Sequence, residues 1–165
     1  MSLSLCTLRL AFPMATSVET LTPPDDSLAQ AMASLLVAAR AARERAYAPY
    51  SHFAVGAALL DEQGRVHAGC NVENAAYPQG QCAEASAIAH LVLAGGNRIV
   101  AAVVVGVADD PVTPCGGCRQ RLREFASDDA PVWAADLQTV RARYTVGQLL
   151  PASFGPGHLK PAVKR

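Results

Sequence analysis

Three cysteines and one glutamate carry the strongest chemical signal in the chain. Cys82-Ala83-Glu84 is followed further along by Pro114-Cys115-Gly116-Gly117-Cys118. Three thiolates fill three corners of a tetrahedral zinc site and leave the fourth open, the pattern of a catalytic rather than a structural ion. An open corner takes a water, whose pKa zinc lowers towards neutrality. Glu84 lies two residues from a ligand and is not needed as one, so it is available to carry protons. The expected chemistry is hydrolytic, with one Zn2+ per chain held by Cys82, Cys115 and Cys118, and with Glu84 as the acid–base group.

Other readings of these residues are weaker. A lone C-x-x-C serves redox pairs and half-sites of structural zinc, but a structural site needs four protein ligands. No second C-x-x-C exists, and the four histidines, His52, His67, His90 and His158, form no spaced pair. His90 falls about two helical turns after Cys82, where it would point away from a site at the helix start. A redox pair does not call for a distant C-x-E.

Both ligand clusters must sit at the starts of helices. Backbone N–H groups there lack partners and carry partial positive charge, which favours thiolates. Cys82 opens a helix through Leu93, stopped by Gly95-Gly96. Pro114 precedes a second, Cys115 to Ala126. There Cys115 and Cys118 share one face, and Gly116-Gly117 let the backbone approach an ion. Upstream, Pro24-Asp25-Asp26-Ser27 marks a helix start. Leu28, Met32, Leu35, Leu36 and Ala39 then recur at helical spacing as far as about Ala46, before Pro49. Phe53–Leu60, a turn at Asp61-Glu62-Gln63-Gly64, and Val66–Val72 read as a β-hairpin. The Val-rich run Ile99–Ala108 reads as a strand buried on both faces. Pro131–Asp136 is a short strand, and Thr145–Leu150 a short terminal helix. This order gives an α/β sandwich around one mixed sheet.

Composition is compatible with that. The 165 residues are 51% hydrophobic and 17% charged, with net charge +0. One domain is expected over 27–158, with a disordered leader over 1–26 and a tail over 159–165. Met14 is an alternative start, and Met1–Phe12 lacks the layout of a signal peptide. No apolar run is long enough to span a membrane. Binding to a nucleic-acid backbone needs clustered Lys and Arg; Arg40, Arg43 and Arg45 read as a solvated helix face. Zinc thiolates need a reducing compartment, so a cytoplasmic location is expected. Cys70 reads as a small buried hydrophobe, and Cys6 as part of the leader.

From about Ala46 to Pro156 the chain resembles the small, homotetrameric cytidine deaminases. Five segments carry the likeness: Tyr50-Ser51-His52-Phe53-Ala54-Val55-Gly56, Gly69-Cys70-Asn71-Val72-Glu73-Asn74-Ala75-Ala76-Tyr77, Cys82-Ala83-Glu84, Pro114-Cys115-Gly116-Gly117-Cys118-Arg119-Gln120, and Leu149-Leu150-Pro151-Ala152-Ser153-Phe154-Gly155-Pro156. The cysteine–glutamate pattern itself is that of zinc-dependent base deaminases. The resemblance implies a three-layer α/β/α sandwich around a mixed five-stranded sheet. It implies deamination of cytidine and deoxycytidine in pyrimidine salvage, by a homotetramer with shared sites. It assigns Asn71 and Glu73 to the ribose 3′-hydroxyl, Phe53 to stacking near the pyrimidine, Val55 to an apolar wall, and the Ala83 backbone to the base. Ala75, Tyr77 and Phe154 are assigned to a neighbouring subunit's site. One position departs: many members carry Arg after the glutamate, where this chain has Ala85, leaving Arg119 and the helix N-termini to offset thiolate charge. Blasticidin S deaminases resemble the motif with a small residue there and are the enzymatic alternative. A polynucleotide cytosine deaminase and a non-catalytic zinc-binding module are the others; the former would need basic grooves, and the latter would need neither Glu84 nor Asn71 and Glu73.

Overall fold

The computed structural model describes residues 26–159. The expected leader, apart from Asp26, the tail beyond Leu159 and Cys6 lie outside the described residues. The elements run α1 (Asp26–Arg43), β1 (Gly56–Asp61), β2 (Val66–Cys70), α2 (Ala83–Leu93), β3 (Ile99–Val105), α3 (Gly116–Phe125), β4 (Pro131–Ala135), β5 (Val140–Thr145) and α4 (Val146–Leu149). The strands form one sheet in the order β2-β1-β3-β4-β5. Only the β3–β4 pair is parallel; the other three are antiparallel.

Residue alternation along the strands builds three layers. On one face, Ala58, Ala101, Val103, Val105 and Trp133 pack against Leu35 and Ala39 of α1. On the other, Ala57, Leu59, Ala102, Val104 and Val132 pack against α2, α3 and α4. Central β3 is buried on both faces at every residue but Val100, as its continuous apolar run requires. Two glycines let helices approach the sheet. A Cβ on Gly56 would lie 2.0 Å from the Ala39 carbonyl oxygen of α1, and one on Gly69 would lie 2.4 Å from the Ala87 nitrogen of α2.

Several element ends differ from the sequence reading, among them the end of α1 and the start of β1, and one strand was missing from it. Helix α1 stops at Arg43, because the chain leaves it in tight turns so that Tyr47 can pair with the continuation of β2. The Tyr47 N–H donates to Asn71 O at 3.0 Å and Glu73 N–H donates to Tyr47 O at 2.7 Å. Strand β1 begins at Gly56 rather than Phe53, since residues 53–55 are bound to the Asn71 side chain instead of a full ladder. Strand β5, the fifth strand that the resemblance implied, was not located in the sequence. Its Val-Arg-Ala-Arg-Tyr-Thr alternation is the period-2 signal of a half-exposed strand, with Arg141 and Arg143 on the exposed face. Cys70 is half-buried.

Candidate active site

The N-termini of α2 and α3 converge outside the carboxyl end of β3, the end at which ligands bind in open α/β sheets. Cys82 is the N-cap residue of α2 and Cys115 that of α3, and neither side chain caps its helix. Their sulfurs are therefore free to turn towards each other. Cys82 Sγ and Cys115 Sγ lie 3.8 Å apart, and all three sulfurs of Cys82, Cys115 and Cys118 lie within 4.8 Å of one another. A tetrahedral zinc with ~2.3 Å bonds to sulfur requires sulfurs ~3.8 Å apart, so the trio fits that ion. No histidine or carboxylate joins the cluster among the described residues.

The thiols do not settle as three thiolates by themselves. Burial pushes Cys118 far above the ordinary thiol range, reinforced by the charge of Glu84 and a hydrogen bond with it. Burial also raises Cys82, helped by Cys115 and Glu84. For Cys115 burial acts upward, but the Cys118 N–H and the Cys118 and Cys82 thiols outweigh it and lower its pKa. A divalent cation inverts this balance, because a coordinated thiol is deprotonated outright. The donor set thus needs a cation to ionise fully. Arg119, the side chain expected to help offset thiolate charge, directs its donors to neutral oxygens rather than to the sulfurs. That guanidinium donates to Pro114 O at 2.8 Å, Leu149 O at 3.0 Å and Thr113 Oγ1 at 3.0 Å. Ala85 is buried and brings no charge. The two helix N-termini remain as the positive field over the cluster.

Glu84 stands in the first turn of α2 and is 4% exposed, one of three buried polar or charged residues among the described residues. It lines a cavity of about 480 Å³ together with Cys82, Ala83 and Cys115, within the usual size of a small-molecule site. Phe53, Val55, Asn71, Glu73 and Tyr77 line the same cavity. The Asn71 amide clasps the entering loop: Oδ1 accepts from Val55 N–H at 2.8 Å and Nδ2 donates to Phe53 O at 2.9 Å. Each end keeps one further hydrogen-bonding position.

Ten of the twelve site residues read from the sequence are thus gathered around one cavity and its thiol cluster. Ala75 and Phe154 are not. Ala75 is exposed outside it, and the exposed Phe154 ring stacks on His158 with centroids 4.9 Å apart. Tyr77 is 77% exposed at the rim of this chain's own cavity. Ser51, Val104, Val112 and Thr113 also line the cavity and were not singled out. Ser51 lay in plain view within the Tyr50–Gly56 segment; the other three carry no chemical signal in sequence.

Residues 30–134 match the model of the cytidine and deoxycytidylate deaminase zinc-binding region. The chain belongs to this deaminase family. It is 42% identical to a cytidine deaminase of Sporosarcina psychrophila over 131 residues, 79% of this chain and 96% of the relative. It is 45% identical to one from Halalkalibacterium halodurans over 113 residues, 68% of this chain and 86% of the relative. The crystal structure of cytidine deaminase from Burkholderia pseudomallei superposes with a TM-score of 0.70 at 44% identity, covering 74% of this chain and 98% of that one. As in the deaminase family, the site combines a zinc-binding region with the mixed-sheet α/β fold.

Proposed function

We propose that the protein hydrolyses cytidine and deoxycytidine to uridine and deoxyuridine, releasing ammonia. The observation that carries this is a buried carboxylate, Glu84, beside a three-thiol cluster in a cavity that Asn71 and Glu73 also line. The relatives' name, cytidine deaminase, supports the same reading. Zinc, held by Cys82, Cys115 and Cys118, supplies a Lewis acid that makes water nucleophilic near neutral pH.

The chain's own residues do the rest. Glu84 accepts a proton from the water that attacks C4 of the base, delivers a proton to N3, and then assists the exocyclic amine to leave as ammonia. Its burial beside apolar Ala83 and Val104 keeps bulk water from competing for that proton. The Ala83 backbone meets the base edge, Phe53 stacks near the pyrimidine against the Val55 wall, and Asn71 and Glu73 hold the sugar hydroxyl. Among the described residues of this chain no Lys, Arg or His lines the cavity, whereas two carboxylates do. A nucleoside 5′-phosphate would therefore be repelled, which favours nucleoside over deoxycytidylate.

Residues 27–158 are read as one catalytic domain. The assembly is read as a homotetramer in which Ala75, Tyr77 and Phe154 complete a neighbour's cavity, and light scattering on the purified protein tests it. A fully active monomer would sink that assignment. Cytoplasmic pyrimidine salvage is the fitting role for a thiol-ligated metalloenzyme. No described helix is long and apolar enough to cross a membrane, and neutral net charge disfavours polynucleotides.

A substrate panel tests the function. Zinc-loaded protein should release ammonia from cytidine and deoxycytidine, and far less from deoxycytidylate, blasticidin S or single-stranded DNA. Preference for blasticidin S would replace this reading with the alternative aminonucleoside reaction. No turnover of any of them would leave a zinc-binding interaction module.

A further inference from the structure

We infer that Ser51 is a positioning residue that aims the Glu73 carboxylate at the sugar of the substrate and locks it to the wall that meets the base. The inference rests on the cytidine reading above.

The geometry is a relay of three groups. Phe53 N–H donates to Ser51 Oγ at 3.0 Å, and the Ser51 hydroxyl in turn donates to Glu73 Oε1. Because a lone pair of Oγ is taken by Phe53, the hydroxyl hydrogen is left to point at the carboxylate. The second carboxylate oxygen, Oε2, accepts Tyr50 N–H at 2.8 Å and Ser51 N–H at 3.3 Å. Three donors from two adjacent residues fix the carboxylate's plane and leave an acceptor position on Oε1 for a ligand. The backbone reaches this arrangement through His52, whose φ of 56° lies in the left-handed region that few L-residues adopt. That turn brings Phe53 N–H back over the Ser51 side chain.

The loop is anchored from both sides, so the relay is not a loose surface contact. Arg43 at the end of α1 donates to Ala54 O at 3.0 Å, and Asn71 clasps Phe53 and Val55. Ser51 itself lines the cavity alongside Phe53 and Glu73. The same carboxylate is held ionised: the Ser51 hydroxyl first, then the Tyr50 N–H, keep Glu73 below its ordinary value. Ser51 thereby links the residue that touches the base to the residue that touches the sugar, without reaching the reacting carbon.

The test compares cytidine with 2′,3′-dideoxycytidine, which lacks the hydroxyl that Glu73 would hold. Ser51→Ala should raise KM for cytidine about tenfold, the usual cost of losing a hydrogen bond to a charged group, while kcat falls less than about threefold. For the dideoxy compound the loss should shrink to within about threefold, because Glu73 then has no partner to aim at. Ser51→Thr, which keeps the hydroxyl, should retain most of the wild-type KM. Zinc content and melting temperature establish that each variant is folded; if Ser51→Ala does not fold, the near-isosteric Ser51→Cys carries the same comparison. Equal losses on the two nucleosides, or an unchanged KM for cytidine, would overturn the inference while leaving the reaction intact. Wild-type protein inactive on both nucleosides would instead overturn the cytidine reading beneath it.

Discussion

Glu84 is the residue on which the chemistry turns. Glu84→Gln keeps size and polarity but cannot accept and return a proton. It should lower kcat by at least ~10²–10⁴-fold, the usual contribution of a general acid–base group, with zinc content and melting temperature unchanged. Steady-state kinetics and elemental analysis read both quantities. Asp61 shows a buried carboxylate in a different role. It is 1% exposed, with His67 Nε2 at 2.8 Å, Arg65 Nε at 2.7 Å and the Arg65 and Gln63 N–H groups all on its oxygens. Burial acts to raise its pKa, but the His67, Arg65 and Gln63 hydrogen bonds together outweigh it and hold the group well below its ordinary 3.8. A depressed carboxylate gives its full stabilisation above the unfolded value and loses it as pH falls through that value towards the folded one. Urea unfolding should therefore show stability declining below about pH 4. Asp61→Asn should flatten that acid limb and cost on the order of 3–5 kcal/mol at neutral pH by stranding its partners. The thiols and Glu84 could be read from the sequence because their chemistry follows from type and spacing. The Asp61 cluster could not, since aspartate at a hairpin turn is ordinary and its burial depends on how α2 ends above it.

At the scale of elements, the site depends on how closely α2 lies on β2. Gly69 permits that approach, and a Cβ there would meet the Ala87 nitrogen at 2.4 Å and the Ala83 carbonyl oxygen at 2.7 Å, both backbone. Backbone cannot swing aside as a side chain does, so Gly69→Ala should push α2 outward and destabilise the fold by about 1–3 kcal/mol. Thermal unfolding should show this as a melting temperature several degrees lower, and zinc affinity should fall because Cys82 and Glu84 ride on the same helix. Both ligand-bearing helices were legible in sequence, α2 from its stop at Gly95-Gly96 and α3 from the Pro114 that precedes it. The end of α1 and the start of β1 were not, because both are set by Tyr47 and Asn71 pairing across the chain, which no local pattern records. Strand β5 was legible in principle: its period-2 alternation runs directly into the start of α4, where Thr145 and Gln148 form a capping box.

On the scale of the whole molecule, the three layers follow from alternation along β1 and β3, each sending one set of residues to α1 and the other to the metal-bearing helices. What the sequence did not reveal is how the chain's last segment is fastened. Three side chains of α3 hold it: Arg119 to Leu149 O at 3.0 Å, Gln120 to Phe154 O at 2.9 Å and Arg123 to Ser153 Oγ at 2.9 Å. That same helix carries Cys118 and begins at Cys115. The fastening therefore ties two events that look unrelated, loss of the ion and release of the C-terminal strap. Stripping zinc with a chelator leaves three unligated thiols with nothing to hold them together at the start of α3, and the disturbance passes along the helix to the three anchors. Limited proteolysis should then cut between Leu150 and Pro156 in chelated protein faster than in zinc-loaded protein. Gln120→Ala should accelerate that cut even with the ion in place. A protease would thus report, from the far end of the chain, whether the metal is home.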